Sequence, residues 1–386
     1  MPMRALTPMP TDVTAPAMVR ALSRRRWLAW ALGAMGAGAS PIAQALPARA
    51  LQFPRDHGSH PELRTEWWYI TGYATAGGRP FGFQVTFFRS RMDATQGMQS
   101  AFAAKQLVFA HAALTDVQGR SLLHDQRVAR AGFGVSAAEA DTDVKLQRWT
   151  LKRENLVQGQ SAFEASRYTT HIESESFGLQ LQFDTSQSLL LQGSNGLSRK
   201  GPLAEQASYY YSQPQLAVSG EIVLAGRRMA VDTSAPARAW MDHEWSEALL
   251  ADDAVGWDWI GMNLHDGSAL TAFRLRRADG SALWAGGSYR ASGQAARIFA
   301  ATEVTWQPLR WWQSGRSNAR YPVQWQVTTP AGVFTVMAML DDQELDSSGS
   351  TGAVYWEGLS DLHNAQGHAV GKGYLEMTGY TRAMRL

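Results

Sequence analysis

An all-β protein built from antiparallel strands is predicted by three features of the sequence. Apolar residues alternate with polar ones with a period of two, most clearly at residues 179–184. Turn sequences recur at short intervals, as at 76–79, 116–119 and 192–196. Helical periodicity is sparse, and residues 237–250 are the segment that most favours a helical turn. Short strands separated by such turns indicate a sandwich or a barrel.

Composition narrows the class of protein. The chain has 386 residues with 15 tryptophans and no cysteine, which excludes disulfides, thiolate metal ligands and thiol nucleophiles. Its formal net charge of +2 provides no basic surface for nucleic acid. The sequence has no G-x-S-x-G turn, phosphate-binding loop or G-x-G-x-x-G motif. We therefore expect no nucleic-acid partner and no cofactor.

Residues 1–50 have the features of an export signal. Arg24, Arg25 and Arg26 precede an apolar run of small residues at 29–39, as in twin-arginine signals. Residues 43–45 and 48–50 both have the small-x-small pattern after which signal peptidase cleaves. The apolar run is shorter than the ~20 residues that a membrane span needs. We expect periplasmic localisation after cleavage near Ala45 or Ala50.

Two related β-domains are expected after the signal. The alternating pattern breaks at 198–202 and resumes at 208–212, so this segment is interpreted as a linker or a ligand loop. We place the N-terminal domain at 51–215 and the C-terminal domain at 216–386. Residues 66–72 and 256–261 are each an aromatic strand with an isoleucine and a closing glycine, and this weak repeat favours related domains.

His243 is the strongest candidate for acid–base chemistry. It lies between Asp242 and Glu244, and Trp245 follows. In an extended segment His243 and Trp245 share one face, while the two carboxylates lie on the other. A flanking carboxylate can orient an imidazole, and a tryptophan face can stabilise a cation by about 0.5–2 kcal/mol. The alternative is a structural histidine beside a core tryptophan.

A second polar group lies at residues 55–66. His57 and His60 are three residues apart in a glycine-containing loop, close in sequence to Asp56 and Glu66. They could ligate a metal, but the spacing matches no standard site, so we predict no metal. An ion-pair network of Arg55, Asp56, Arg64 and Glu66 is favoured instead. His57, His60 and Glu66 are retained as residues of a substrate pocket.

Aromatic strands supply the remaining pocket candidates. We assign eight such residues to the pocket: Trp67, Trp68, Tyr69, Trp257, Asp258, Trp259, Trp356 and Glu357. Asp258 would be a proton donor if burial raised its pKa, although pairing with Arg89, Arg91 or Arg274 is favoured. Together with the two polar stretches, these residues are expected to face one apolar ligand site, with Trp67, Trp68 or Tyr69 approaching His243.

Several of these motifs resemble one family. The stretches 53–60, 65–69, 241–246, 257–261, 355–358 and 373–376 are similar to the AttH-like family, which is grouped with the carotenoid 1,2-hydratases and fungal kievitone hydratases. The resemblance extends over residues 53–380. It implies two consecutive lipocalin-like β-barrel domains with a hydrophobic cavity near their junction. The Asp-His-x-Trp motif of the hydratases implies catalytic roles for His243 and Trp245.

The expected function follows from this combination. We expect an exported, cofactor-independent enzyme of hydratase or hydrolase type that acts on an isoprenoid- or lipid-like molecule. His243 would act as the acid–base group, Asp242 or Glu244 would orient it, and Trp245 would stabilise a cation. The alternatives are a periplasmic carrier of lipophilic ligands and an accessory protein of an exporter, with transient membrane or exporter contact. The oligomeric state stays open.

Overall fold

Antiparallel β-strands form nearly all of the regular structure in a computed structural model, which describes residues 45–156, 165–248 and 250–384. Besides its strands, the described part has two short 3-10 helices, Arg55–His57 and Asp93–Thr95. The all-β prediction is confirmed. Within the same residues, no helix combines the length and the apolar character needed to cross a membrane. The twin-arginine signal is predicted for residues 1–50, and its first 44 residues, including the arginines and the apolar run, lie outside the described residues.

The first sheet has fourteen strands. They are β1 (Thr65–Ala76), β2 (Arg79–Arg91), β3 (Gln106–Asp116), β4 (Ser121–Arg130), β5 (Val135–Ala137), β6 (Asp143–Leu146), β7 (Trp149–Asn155), β8 (Ser166–Glu173), β9 (Phe177–Asp184), β10 (Leu190–Leu191), β11 (Leu197–Arg199), β12 (Ala207–Leu224), β13 (Arg227–Ala230) and β14 (Arg238–Ala248). The order is β4-β3-β2-β1-β14-β12-β9-β8-β7-β6-β5, and β10, β11 and β13 pair with β12. The sheet is curled into a nearly closed barrel, in which β3 and β4 at one edge approach β5 and β6 at the other edge.

The second sheet has ten strands. They are β15 (Gly256–Leu264), β16 (Ala269–Arg276), β17 (Ala282–Arg290), β18 (Arg297–Phe299), β19 (Thr305–Gln313), β20 (Arg320–Thr329), β21 (Gly332–Ala338), β22 (Glu344–Ser347), β23 (Ala353–His363) and β24 (Ala369–Met377). Their order is β18-β17-β16-β15-β24-β23-β21-β20-β19, and β22 pairs with β23.

The two sheets share one topology. Each begins with a four-strand meander, and in each the last strand returns to pair with the first: β14 with β1, and β24 with β15. The weak sequence repeat at 66–72 and 256–261 falls on β1 and β15, which occupy equivalent places. The predicted boundary at 215/216 falls inside β12, and the change from one sheet to the other comes later, between β14 and β15.

The helical turn predicted at 237–250 is wrong. Most of this segment is β14, which pairs with β1 on one side and β12 on the other. Its helix-favouring alanines, glutamates and leucines are overridden, because two neighbouring strands satisfy its backbone groups and both of its faces are buried.

Alternation along the central strands produces three large hydrophobic cores, and a small fourth cluster contains Ala113, Leu345 and Tyr355. On β1, Trp68 and Ile70 face the interior of the first sheet, whereas Tyr69 faces the space between the sheets. On β15, Ile260 faces the interior of the second sheet and Trp259 the space between. The central strands are therefore buried on both faces. For this reason their sequences contain runs of aromatic residues, whereas a half-exposed strand alternates between apolar and polar residues.

Residues 51–64 close one part of the first sheet's interior. Within this segment, Gly58 packs against the backbone of 139–141, and Ser59 N–H donates to the Ala138 carbonyl. The backbone φ of Gly58 is −83°, which any residue can adopt. Glycine is required here by space, because a Cβ would overlap the Glu139 carbonyl and lie 2.8 Å from the Asp141 nitrogen.

Gly58→Ala is therefore expected to lower the free energy of unfolding by about 1–3 kcal/mol through overpacking. Urea unfolding measures this change. Gly315→Ala is the matched control, because its Cβ would have no heavy atom within 4 Å, and we expect a change within about 0.5 kcal/mol. Equal stability of the two variants would contradict the packing described for residues 51–64.

Candidate functional site

Two rows of side chains cross adjacent strands on the interior face of the first sheet. The first row contains Trp68 on β1, His243 on β14 and Tyr211 on β12. The second row contains Arg89 on β2, Glu66 on β1, Trp245 on β14 and Tyr209 on β12. Directly opposed residues on neighbouring strands place their side chains on the same face, so strand register alone brings these groups together.

His60 is held between two carboxylates. Its Nδ1 lies 2.7 Å from Glu66 Oε1, and its Nε2 lies 3.0 Å from Asp56 Oδ1. Ionised carboxylates only accept hydrogen bonds, so both ring nitrogens donate and His60 is an imidazolium. Burial opposes this charge, but the hydrogen bonds to Asp56 and Glu66 outweigh it and raise the pKa of His60. The Trp245 ring stacks on the imidazolium at 4.0 Å.

Glu66 is the centre of the site. Its Oε2 accepts from Arg89 Nε at 2.8 Å, from Ser59 Oγ and from the backbone N–H of His60. Its Oε1 faces His60 Nδ1 and, at 2.9 Å, His243 Nε2. Burial alone would raise the pKa of Glu66, but the hydrogen bonds with His243 and His60 hold it well below its usual range. Glu66 is therefore ionised.

His243 is neutral and held in one tautomer. Burial lowers its pKa against the effect of Glu66. Because the Glu66 carboxylate accepts, Nε2 of His243 carries the proton, and Nδ1 is left to accept. Nδ1 lies 3.2 Å from Tyr211 Oη, and the Trp68 ring stacks on the imidazole at 4.7 Å.

Tyr211 completes the hydrogen-bonded chain. Its hydroxyl lies 3.2 Å from His243 Nδ1 and 2.7 Å from His57 Nδ1, and it also contacts the Tyr168 hydroxyl. Burial raises the pKa of Tyr211 well above its usual value, so the hydroxyl keeps its proton. The chain thus runs from Asp56 through His60, Glu66 and His243 to Tyr211. We call these five residues the relay.

The cations of this region differ from those predicted. Asp56 forms a two-point ion pair with Arg49, at 2.6 and 3.0 Å, and Glu66 pairs with Arg89. Arg55 lies 3.9 Å from the exposed Glu139, and neither Arg55 nor Arg64 is the cation that pairs with Asp56 or Glu66. The predicted network therefore exists with Arg49 and Arg89 as its cations.

Three residues have the donor atoms for a metal ion. Ligand atoms of His60, Glu66 and His243 all lie within 4.8 Å of one another. In the present arrangement both histidines donate N–H groups to the same Glu66 oxygen, and Arg89 binds the other oxygen. Metal binding would require both of those ring nitrogens to lose their protons. The hydrogen bonds alone satisfy every one of these atoms.

Asp242 does not orient His243. It lies on the opposite face of β14, where it accepts hydrogen bonds from Tyr210 Oη, Ser212 Oγ and Trp240 Nε1 at 2.6–2.8 Å. Burial raises the pKa of Asp242 to about 7 despite these three donors. Glu244 shares this face and pairs with Lys200 at 2.8 Å. The predicted orienting role belongs to Glu66, because neighbours along a strand point in opposite directions.

Other predicted pocket residues lie between the sheets, away from the relay. These are Trp67, Tyr69, Trp257, Trp259 and Glu357. Glu357 faces Glu376 across β23 and β24, and burial raises the pKa of both, that of Glu376 to about 7. Tyr69 lies beside Glu357 without a well-aligned hydrogen bond. Burial and their mutual repulsion therefore oppose the ionisation of both glutamates at once.

Glu357→Gln is expected to raise the free energy of unfolding at pH 8 more than at pH 5. The difference between the two pH values should be about 1–3 kcal/mol. With its folded pKa raised, Glu357 must bind a proton on folding, and this cost grows as pH rises above the value of an unfolded glutamate. Glutamine keeps the shape and does not ionise. Urea unfolding at both pH values measures the effect, with the exposed Glu175→Gln as control. An identical change at both pH values would contradict the raised pKa.

Two further predicted residues belong to the second sheet. Asp258 pairs with Arg274 at 2.7 Å, as the sequence favoured, and also with Arg276 at 3.1 Å. Trp356 is buried in the core of the second sheet, where its Nε1 donates to the Asp341 carbonyl. The predicted residues are thus divided among three faces. The two aromatic stretches nevertheless meet between the sheets, where the Tyr69 and Trp259 rings lie edge to face at 5.4 Å.

Two surface cavities also lie away from the relay. One of about 320 Å³ lies between the sheets, lined by residues of 188–195 and 290–298. The other, of about 870 Å³, is lined by polar residues of 124–127, 147–148 and 173–176. Of the predicted residues, His57, His60, Glu66, Trp68 and Trp245 do gather around His243 as expected, but Trp68 reaches it across neighbouring strands and not across a domain junction.

The protein is an antiparallel β protein of two sheets, with a buried polar site inside the first sheet. Residues 44–380 match the AttH-like family, and the chain belongs to that family. A candidate AttH from Nitrosomonas europaea is 45% identical, with a TM-score of 0.78 over 88% of this chain and 100% of that one. No curated protein sequence matches the chain.

Two more distant crystal structures share the fold. Kievitone hydratase from Nectria haematococca is 13% identical, with a TM-score of 0.66 over 86% of this chain and 94% of that one. CghA is also 13% identical, with a TM-score of 0.52 over 82% of this chain and 88% of that one. At such identities the likeness concerns the fold alone.

Proposed function

We propose that this protein is an enzyme of hydratase or hydrolase type whose acid–base group is Tyr211, supported by His243 and Glu66. The observation that carries the proposal is the unbroken hydrogen-bonded chain from the Asp56 carboxylate to the Tyr211 hydroxyl. A carboxylate that orients a neutral histidine, which in turn contacts a hydroxyl, is an arrangement that moves protons in many unrelated enzymes. The fold shared with kievitone hydratase favours hydration over hydrolysis.

In a hydration, Tyr211 would donate its proton to one alkene carbon, and the π electrons would form the new C–H bond. The oxygen of a water molecule would then bond to the other carbon, and the proton released by water would return to the Tyr211 phenolate. A proton on His57 Nδ1, which lies 2.7 Å from the Tyr211 oxygen, would stabilise that phenolate. The cations His60, Arg49 and Arg89 outnumber the two carboxylates, Asp56 and Glu66, that they contact. This net positive charge also favours a transient negative charge on Tyr211.

The substrate would be hydrophobic, such as an isoprenoid or another lipid. The interior of the first sheet is lined by aromatic and branched side chains, including Phe83, Phe183 and Leu181. Tyr211 is fully buried, and the Phe53 ring lies edge-on to it at 5.4 Å. Phe53 itself is only half-buried. A substrate would therefore reach Tyr211 by displacing Phe53.

Turnover by purified protein tests the proposal. Isoprenoid alkenes and lipid esters would be incubated in H₂¹⁸O, because hydration places the label in an alcohol and hydrolysis places it in a carboxylate. Tyr211→Phe is expected to reduce turnover by about 10²–10⁴-fold while substrate binding changes little. Tyr289→Phe, in the second sheet, is the control. Binding without turnover by the wild type would favour a carrier, and full activity of Tyr211→Phe would refute the assignment.

Export by the twin-arginine route is part of the proposal, supported by Arg24, Arg25 and the apolar run that follows. Contacts of residues 46–50 favour cleavage after Ala45. The Pro47 carbonyl accepts from Tyr209 Oη, and Arg49 pairs with Asp56. Cleavage after Ala50 would remove both contacts and the counter-ion of a buried carboxylate. Mass spectrometry of the periplasmic protein is expected to give Leu46 as its first residue. A chain that begins at Leu51 would contradict this prediction.

A further inference from the structure

Arg290 differs from the other buried cations of the described residues. Five lysine or arginine side chains are buried there: Arg89, Arg153, Lys200, Arg276 and Arg290. Four of them pair with a carboxylate within 3.1 Å. Within residues 45–156, 165–248 and 250–384, Arg290 has no acidic partner, although only 6% of it is exposed. A buried cation without a counter-ion is costly, so proteins rarely keep one without a use for it.

The contacts of Arg290 leave part of its guanidinium unused. Nη1 donates to the carbonyls of Ser188 and Leu189 at 2.9 and 3.3 Å, and Nη2 donates to Gln187 Oε1 at 2.8 Å. A guanidinium has five N–H donors. These neutral acceptors fix the orientation of the group without neutralising it. Burial lowers the pKa of Arg290, and no acidic neighbour opposes that effect.

Arg290 lines the cavity of about 320 Å³ between the sheets. The same cavity is lined by Leu189, Leu191 and Ile298, with amide groups from Asn195 and Gln294. This volume is at the lower end of the range of about 300–1,000 Å³ for small-molecule sites. Most of the surface exposed in this cavity is polar, so its apolar side chains leave room for only a short apolar portion of a ligand beside the one buried cation.

We propose that this cavity binds the carboxylate of a small apolar acid, with the carboxylate on the free N–H groups of Arg290. The bound ligand would supply the counter-ion that the chain lacks, and the guanidinium fork would hold it at two points. The apolar portion would lie against Leu189, Leu191 and Ile298. This site is separate from the relay and does not depend on the proposed catalytic function.

Isothermal titration with sodium octanoate tests the proposal, with 1-octanol and inorganic phosphate as comparison ligands. Octanoate is expected to bind at least about tenfold more tightly than either, because only octanoate has both the charge and the chain. Arg290→Gln is expected to weaken octanoate binding by about ten- to hundredfold. Arg297→Gln, which changes an exposed arginine paired with Glu303, is the control and should bind as the wild type does.

A second pair of variants is needed because Arg290→Gln also removes hydrogen bonds to residues 187–189. Ile298→Glu leaves the Arg290 contacts intact and places a carboxylate inside the cavity, so it should compete with octanoate and abolish binding. Ile298→Gln has the same size without the charge and should retain binding within a few-fold. Octanoate binding that is unchanged by Arg290→Gln and Ile298→Glu, absent in the wild type, or matched by inorganic phosphate would overturn the proposal.

Discussion

Glu66→Gln is expected to lower the free energy of unfolding by about 3–5 kcal/mol, the cost of removing one partner from a buried charge network. Glu66 is fully buried and is the acceptor for Arg89, His60 and His243. Glutamine has nearly the same shape, so the change tests charge and acceptor capacity and leaves volume unchanged. Its amide would place a donor against at least one N–H group, and Arg89 would be left without a counter-ion.

Urea unfolding at neutral pH measures this loss. Glu221→Gln is the matched control, because Glu221 pairs with Arg228 at 3.2 Å on the surface. Exposed pairs contribute at most about 1 kcal/mol, so the control should change little. A loss below about 1 kcal/mol for Glu66→Gln would mean that the network does not depend on the Glu66 charge.

The pH dependence of the same variant has a definite sign. The folded pKa of Glu66 is depressed, so its contribution is present above the pKa of an unfolded glutamate and is lost as pH falls below it. His60 has a raised pKa, so its contribution is present below the pKa of an unfolded histidine and is lost as pH rises through the folded value. The difference between wild type and Glu66→Gln should therefore be greatest near pH 5–6 and shrink in acid.

His243→Gln is expected to reduce turnover by about 10²–10⁴-fold while ligand affinity stays within a few-fold. The glutamine amide can still donate to Glu66, but it lacks the imidazole Nδ1 that lies against the Tyr211 hydroxyl and positions it for proton transfer. Steady-state kinetics and equilibrium binding, measured on one substrate, separate the two effects. The control is His171→Gln on β8, outside the relay. Equal turnover of His243→Gln and wild type would remove His243 from the chemistry.

Much of the fold could be predicted from the sequence, because strand alternation is a local property. The period of two at 179–184 and the closely spaced turns predict antiparallel strands, and the shared face of His243 and Trp245 follows from the same period. The repeat on β1 and β15 was also visible, although its meaning, equivalent places in two sheets, required the strand order.

The site was less predictable, because it depends on register between distant strands. Tyr211 lies opposite His243 only because β12 pairs with β14 in one register, and β12 has irregularities on both sides of residues 209–213. The sequence offered three consecutive tyrosines at 209–211 and no means of choosing among them. Asp242 was predicted to orient His243 because the two residues are neighbours in sequence. The carboxylate that contacts His243 belongs to Glu66, which is 177 positions away.

Nitrogen-15 NMR of histidine-labelled protein at about pH 6.5, the pKa of an unperturbed histidine, tests the central claim most directly, because imidazole nitrogen shifts distinguish an imidazolium from each neutral tautomer. Single substitutions at His60 and His243 assign the signals. We predict that His60 keeps both ring protons at this pH and that His243 is neutral with its proton on Nε2. A neutral His60, or a His243 with its proton on Nδ1, would contradict the relay.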